Sequence, residues 1–328
     1  MDKHGLVVPD LDALLSEVPN LLGFVPADSL VLIGFEDFGT GSAMQFTMRI
    51  DLPEPEHHVA AAQYLTEFLH GRDTDTAVAA VIGGDREQQR SLVDALGSAL
   101  DSQQIGLHAT WTAEMQPGEK WCCYHGDGCE GTIHDTTASH LAAATAVAGH
   151  RSPWGSREEM AASIAAVPDA ERRQWADRLD TWRERSAGKD GSLREASAPV
   201  FAALEQLRNG EALTTEQAVA ALGALDDHVV RDMMLVRREP GAEQLWTLLL
   251  RYAPDADVEG PAVLLATASH LHGDGAMASV VLERARDAVA PASPGPLVEL
   301  LDRMLTLAPH HLRTLLDELA DDAGLQLN

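Results

Sequence analysis

Short apolar runs of the kind that form buried β-strands are confined to the first 150 residues of this 328-residue chain. Leu30–Phe35 (LVLIGF) and Thr76–Ile82 (TAVAAVI) are continuous apolar segments next to turn residues, a pattern typical of strands buried on both faces. Beyond that point, apolar residues recur with the period of an α-helix. The change of period predicts an α/β domain at 1–150 and an all-helical domain at 151–328.

The first domain is predicted to contain a mixed β-sheet with flanking helices. Asp85 is the expected N-cap of one helix, because Gln88 three residues later completes a capping-box pattern. Helical and strand-like segments alternate, and this order is typical of a sheet covered on both faces. The predicted helices are 11–22, 56–70 and 85–104, and the predicted strands are 30–35, 43–50, 76–82, 107–115 and 120–125.

The second domain is predicted to be a tetratricopeptide-like array of helices. Capping-box patterns at Ser156 and Thr214 mark two helix starts, the first of them opening a long charged helix. The spacing of Ala278, Leu282 and Ala285 resembles the second helix of a tetratricopeptide unit, although no period of about 34 residues repeats cleanly. The predicted internal linker is 183–193, and the helices predicted after it are 195–208, 215–236, 241–252, 261–272, 275–290, 297–307 and 310–323.

Net charge limits the partners that this chain can bind. Lys and Arg total 24 and Asp and Glu total 51, so the formal net charge is −27. A field of this sign repels phosphate backbones and anionic lipid head groups, so we expect neither a nucleic-acid nor a membrane partner. Acidic residues are spread along the chain, which favours a role in solubility over attraction to a basic partner.

The cysteines and the N-terminus indicate a cytoplasmic protein. The N-terminal residues contain no apolar run of signal-peptide length, and no run in the chain approaches the roughly 18 apolar residues of a membrane span. The three cysteines, Cys122, Cys123 and Cys129, lie within eight residues of one another. An odd, clustered set is not the disulfide framework of a small secreted protein.

The segment around those cysteines contains a candidate zinc site. Cys123, His125, Cys129 and His134 are four potential zinc ligands in a glycine-rich segment. Structural zinc sites usually combine two short ligand pairs with a longer stretch between them, and this cluster has no such separation. Two other interpretations remain open: buried cysteines beside solvated histidines, and a reactive thiol.

Several ordered segments resemble an actinobacterial protein family. They are Pro19–Val31 (PNLLGFVPADSLV), Arg49–Pro53 (RIDLP), Trp121 with Cys123-Tyr124, Ser156–Glu159 (SREE), Arg231-Asp232 and Gly273–Ala278 (GDGAMA). Together they are similar to the family called domain of unknown function 4192, and they span nearly the whole chain. The resemblance implies a cytosolic actinobacterial protein and no established activity.

A second candidate site is predicted where two strands end. If the strands at 30–35 and 43–50 form a hairpin, Ser29 and Arg49 lie at the same edge of the sheet. Arg157 opens the first helix after residue 150, and two arginines can hold a planar anion through paired N–H donors. We therefore expect a small-molecule site to be lined by Ser29, Arg49 and Arg157. The alternative is that each arginine only neutralises a nearby carboxylate.

The preferred function class is a non-enzymatic binding or interaction module that pairs an α/β half with a helical array. Its expected partner is another protein or a small anionic ligand, and the sequence is compatible with a homo-oligomer. The alternative is a small-molecule enzyme with its site at the junction of the two halves. An enzyme requires a titratable group of shifted pKa in a concave pocket, whereas an interaction protein requires an exposed patch.

Overall fold

Residues 11–322 are described by a computed structural model, apart from positions 40, 70–71, 125–128, 136, 138, 140, 143–151, 189–190, 291–292, 294 and 308–310. The chain divides into two compact units, Met1–Glu159 and Met160–Asn328. The first contains a mixed sheet with helices, and the described part of the second is helical, as the sequence predicts. None of the described helices combines the length and the apolar composition that a membrane span requires.

The first unit is built on a six-stranded sheet with the order β2-β1-β3-β4-β5-β6. All neighbouring strands are antiparallel except β3 and β4, which are parallel and are connected through helix α3. The strands are β1 (Ser29–Asp37), β2 (Ser42–Asp51), β3 (Thr76–Ile82), β4 (Gly106–Thr112), β5 (Lys120–Cys123) and β6 (Glu130–Thr132). The helices are α1 (Leu11–Leu22), α2 (His58–Leu69) and α3 (Arg86–Asp101), and a fourth helix, α4 (Arg157–Ser163), crosses the boundary between the two units.

The core of this unit lies between one face of the sheet and helices α2 and α3. Leu30 and Leu32 of β1 pack with Leu65 of α2 and with Leu92 and Leu96 of α3, and all five are almost fully buried. Asp85 caps α3 as expected, because its side chain accepts hydrogen bonds from the backbone amides of residues 87 and 88. Two amphipathic helices therefore cover the apolar strands that the sequence indicates.

Asp12 attaches helix α1 to the far edge of the sheet. Its Oδ1 accepts hydrogen bonds from Trp121 Nε1 at 2.6 Å and from the Thr132 amide at 3.1 Å. Gly131 lies directly beneath this contact, and a Cβ atom added there would come within 1.8 Å of the same Asp12 oxygen. Only glycine at position 131 leaves room for the carboxylate to reach strands β5 and β6.

Several helices of the second unit begin at N-cap residues that are recognisable in the sequence. Thr214 and Gln217 form the predicted capping box, and Ser192 with Glu195 forms another. Helix α5 continues to Ser186, into the stretch predicted as a linker. The helices are α5 (Asp169–Ser186), α6 (Leu193–Arg208), α7 (Thr215–Ala224), α8 (His228–Arg237), α9 (Ala242–Tyr252), α10 (Glu259–Leu271), α11 (Gly275–Val289), α12 (Pro296–Leu307) and α13 (His311–Asp322).

Two predicted helices are wrong in length because each is interrupted. The helix predicted from 215 to 236 ends at Ala224, and α8 begins after Asp227, whose side chain accepts a hydrogen bond from the Val229 amide. The long helix expected after Ser156 ends at Ser163, and α5 begins after Pro168. Proline disfavours helical backbone at the residue before it, so Pro168 sits at a helix start.

Small residues allow the helices of the second unit to approach closely. Ala278, Leu282 and Ala285, the tetratricopeptide-like positions of α11, are all buried. In α7, Gly223 lies against the indole of Trp182 in α5, and a Cβ atom at position 223 would come within 2.3 Å of the ring carbon Cε3. The close contact between α5 and α7 therefore requires a glycine at position 223.

The Asp12→Ala variant tests the attachment of α1. The substitution removes both hydrogen bonds to the Asp12 carboxylate. A hydrogen bond to a charged group contributes roughly 1.5–3 kcal/mol to stability. Because the Asp12 side chain is 37% exposed, we expect the free energy of unfolding to fall by only about 2 kcal/mol. Urea denaturation measures the change, with the exposed Asp101→Ala as a control expected to stay within about 0.5 kcal/mol of wild type. Equal stabilities of the two variants would contradict the role of Asp12.

Glycine-to-alanine substitutions at two helical positions should have opposite signs. Gly97→Ala in α3 should raise the free energy of unfolding by about 0.5–1 kcal/mol, since the new Cβ meets nothing closer than Leu107 Cδ2 at 3.7 Å. Gly223→Ala should lower it by about 1–3 kcal/mol, because the Trp182 ring must move. The check is urea denaturation followed by circular dichroism. If Gly223→Ala is as stable as wild type, the close contact is absent in solution.

Candidate functional site

Three side chains from two neighbouring strands and a loop converge at the β4–β5 end of the sheet. Thr110 of β4 lies opposite Cys123 of β5, so His108, two residues earlier on β4, is on the same face as Cys123. The Cys123 amide donates to the Cys129 carbonyl at 2.9 Å, which closes the loop before β6. Cys123 and Cys129 are joined by a disulfide, with their Cα atoms 5.4 Å apart.

His108 completes this group, which we call the Cys–His cluster (His108, Cys123 and Cys129). The Nε2 atom of His108 lies 3.2 Å from Cys123 Sγ and 3.7 Å from Cys129 Sγ. Cys123 is buried, whereas His108 and Cys129 are half-buried. Burial lowers the pKa of His108, so its imidazole stays neutral to lower pH than a solvated histidine. A neutral imidazole beside two sulfur atoms is a donor set that suits a soft divalent metal.

The two histidines predicted as zinc ligands have different outcomes. His134 lies beside α1, where its amide donates to Ser16 Oγ at 2.7 Å and its Nε2 is 3.8 Å from Asp12 Oδ2. It is not part of the described group of potential ligands whose atoms lie within 4.8 Å of one another. His125 falls in the segment 125–128, outside the described residues. Sequence reasoning missed His108, because only the strand register brings it to the cysteines.

Two cations of α3 lie against Tyr124, the residue that follows Cys123. Arg86 donates from Nη2 to the Cys123 carbonyl at 2.8 Å, and the guanidinium carbons of Arg86 and Arg90 lie 5.4 and 5.8 Å from the centre of the Tyr124 ring. Burial raises the pKa of Tyr124, and its hydroxyl has no hydrogen-bond partner among the described residues. By the strand register, these cations lie on the face of the sheet that packs against α3, opposite the face that carries His108 and Cys123.

The structure brings Ser29 and Arg49 together. The strands β1 and β2 form the predicted hairpin, with Ser29 opposite Asp51. Arg49 donates from Nε to the buried Ser29 Oγ at 2.8 Å and pairs through Nη2 with Asp51 Oδ1 at 2.6 Å. The alternative interpretation is that each arginine only neutralises a nearby carboxylate. Arg49 forms such an ion pair with Asp51, which occupies one side of its guanidinium.

Arg157 and Arg49 both act electrostatically on the carboxylate of Glu158. The pKa of Glu158 is lowered mainly by hydrogen bonds from its own amide and from Ser156, and more weakly by the charges of Arg157 and Arg49. Both arginines therefore act on one exposed carboxylate. A ligand site lined by Ser29, Arg49 and Arg157 stays a prediction.

The helical unit contains a pocket that the sequence does not indicate. It has a volume of about 110 Å³ and lies among helices α8, α9, α10 and α13. Its walls include the buried side chains of Met234, Trp246 and Leu264, with Leu271 and Ala268 completing the apolar surface. The pocket is therefore an apolar recess inside a packed group of helices, a common location for ligands in helical proteins.

Charged residues surround the pocket, and most of them have a side-chain partner. Arg238 binds Asp317, Glu239 binds Arg208 and Arg237, and Glu243 binds His272 Nδ1 at 2.6 Å. Arg313 differs, because its Nη2 donates to the Leu271 carbonyl at 2.8 Å and no described carboxylate lies within ion-pair distance of it. Its remaining N–H donors are the part of the rim that can hold an anion.

Comparison with known proteins gives one match. The family model described as domain of unknown function (DUF4192) matches residues 12–309, which include the Cys–His cluster and most of the pocket in the helical unit. No curated protein and no solved structure matches the chain. The chain therefore belongs to the DUF4192 family.

Proposed function

We propose that the protein is a binding module whose helical unit binds a small carboxylate with a compact apolar group. The observation that carries this proposal is the pocket among α8, α9, α10 and α13, which combines apolar walls with an arginine that has no described acidic partner. Apolar walls supply the driving force for burying the ligand, and one charged group at the rim orients it.

The volume of the pocket limits the apolar group of the ligand. An engineered protein cavity of about 150 Å³ binds benzene, so a pocket of about 110 Å³ suits a branched aliphatic group or part of an aromatic ring. Larger ligands, which occupy pockets of roughly 300–1,000 Å³, would extend beyond the rim. The expected ligand is therefore a small acid rather than a nucleotide or a large cofactor.

The charge at the rim favours an anion despite the acidity of the chain. Arg238 is paired with Asp317, and Glu239 is paired with Arg208 and Arg237, so these charges are largely balanced. Arg313 is balanced only by a backbone carbonyl, and a guanidinium binds a carboxylate through two parallel N–H donors. The cluster of Ser29, Arg49 and Arg157 is a second candidate for the same class of ligand, and it is weaker because Asp51 already occupies Arg49.

Catalysis is a second candidate function, favoured by the contact between His272 and Glu243. A histidine oriented by a carboxylate through Nδ1 presents Nε2 as a general base. However, the His272 and Glu243 side chains are 60% and 43% exposed, so water screens the pair and competes with any substrate. We therefore rank binding above catalysis. A His272→Gln variant separates the two, since it removes the base and leaves the apolar walls and Arg313 in place.

Fluorine NMR of protein labelled with 5-fluorotryptophan tests the proposed ligand class. The chain has six tryptophans, and the Trp246→Phe variant assigns the resonance that reports on the pocket. We expect phenylacetate and isovalerate to shift this resonance in a saturable manner, and the neutral analogues 2-phenylethanol and 3-methylbutanol to bind about tenfold more weakly. The absence of a shift with both acids would contradict the proposal.

Two variants and one control test whether the shift of the Trp246 fluorine resonance arises from ligand binding in the pocket. Arg313→Gln should reduce the affinity for the acids about tenfold and leave that for the alcohols unchanged. Ala268→Leu fills the pocket and should abolish binding of both classes. Arg303→Gln, at an exposed position of α12 away from the pocket lining, is the matched control and should bind like wild type. Equal effects of the Arg303 and Arg313 substitutions would show a general charge effect rather than a site.

A further inference from the structure

We propose that His108, Cys123 and Cys129 bind one zinc ion when the two cysteines are reduced, and that the disulfide is the oxidised, metal-free state of the same site. This inference is independent of the pocket in the helical unit. It replaces the ligand set predicted from sequence proximity with one brought together by strand register. The relevant observation is that all three ligand atoms lie within 4.8 Å of one another.

The distances from His108 already match those of a tetrahedral zinc site. With Zn–S bonds of about 2.3 Å and Zn–N bonds of about 2.0–2.1 Å, a nitrogen and a sulfur ligand lie roughly 3.5 Å apart. His108 Nε2 is 3.2 Å from Cys123 Sγ and 3.7 Å from Cys129 Sγ, on either side of that value. Once the disulfide is reduced, the two sulfurs need to separate to roughly 3.8 Å, a small rotation of each side chain.

The chemistry of the ligands and their surroundings favours zinc. Two thiolates and one imidazole form a soft donor set, and this set prefers zinc to calcium or magnesium. The negative charges of two thiolates, one buried at Cys123 and one half-buried at Cys129, need compensation, and a divalent ion provides it directly. Three protein ligands leave a fourth position for water, and the half-buried His108 and Cys129 leave that side accessible.

Oxidation by a peroxide converts the zinc form into the disulfide form. Each thiolate loses one electron, the sulfur–sulfur bond between Cys123 and Cys129 forms, and Zn²⁺ dissociates. The two electrons and two protons from solvent break the O–O bond of hydrogen peroxide and yield two molecules of water. The number of reduced cysteines therefore falls from three to one, with Cys122 as the one that stays reduced.

The chain offers matched controls for each type of ligand. Cys122 is adjacent to Cys123 on β5, and alternation along the strand directs it to the opposite face of the sheet. His134 is a second histidine near the same strands, and it lies beside Asp12. Cys122→Ser and His134→Gln should therefore leave the metal site intact, whereas Cys123→Ser, Cys129→Ser and His108→Gln should disrupt it.

The experiment measures zinc bound by the purified full chain after reduction and equilibration with zinc chloride under nitrogen. We expect one equivalent of zinc, two sulfur ligands at about 2.3 Å by X-ray absorption, and release of the metal on addition of hydrogen peroxide with loss of two thiols. Each of the three ligand substitutions should weaken zinc binding about tenfold or more. Circular dichroism of each variant confirms folding, and the half-buried Cys129 provides a second cysteine variant if Cys123→Ser does not fold.

Four results would overturn the proposal or one of its parts. The first is that the reduced protein binds no zinc, and the second is that Cys123→Ser or Cys129→Ser binds zinc as tightly as wild type. The third is that His134→Gln releases the metal and His108→Gln does not, which would restore a ligand set based on sequence proximity. Retention of zinc after complete oxidation of Cys123 and Cys129 would refute the link between the disulfide and the metal.

Discussion

Backbone hydrogen bonding of strand β1 is the constraint on which the α/β unit depends. Leu30, Val31, Leu32 and Ile33 are almost fully buried, so water cannot satisfy their amides and carbonyls. The strand therefore needs a partner on each side, and it has β2 on one side and β3 on the other, both antiparallel. Once these partners are in place, the parallel pairing of β3 with β4 and the meander through β5 and β6 extend the sheet in one direction.

Local patterns in the sequence predict most of this architecture. The apolar runs identify β1 and β3, and the caps at Asp85 and Thr214 identify helix starts, because each pattern involves residues a few positions apart. The break between α7 and α8 was missed, since apolar periodicity continues through it. Asp227 was a visible signal there, because an aspartate placed two residues before Val229 is a common N-cap.

The candidate sites are less predictable, because they depend on register and packing. Cys123 and Cys129 are only six residues apart, but His108 joins them only because Thr110 is paired with Cys123. His134, only five residues after Cys129, belongs to the surface beside α1 instead. The pocket in the helical unit involves four helices from distant parts of the chain, and no local pattern specifies how such helices pack.

The contact of Asp12 with strands β5 and β6 has a consequence for synthesis of the chain. Asp12 precedes Trp121 by 109 residues and Thr132 by 120, so α1 leaves the ribosome long before its partners exist. At translation rates of about 5–20 residues per second, that interval lasts roughly 5–25 s. During it, strand β6 is not yet available to contact α1, whose Leu14, Leu15 and Val18 are buried in the folded protein. Apolar surface that stays exposed for this interval makes α1 prone to non-native association before the sheet is complete.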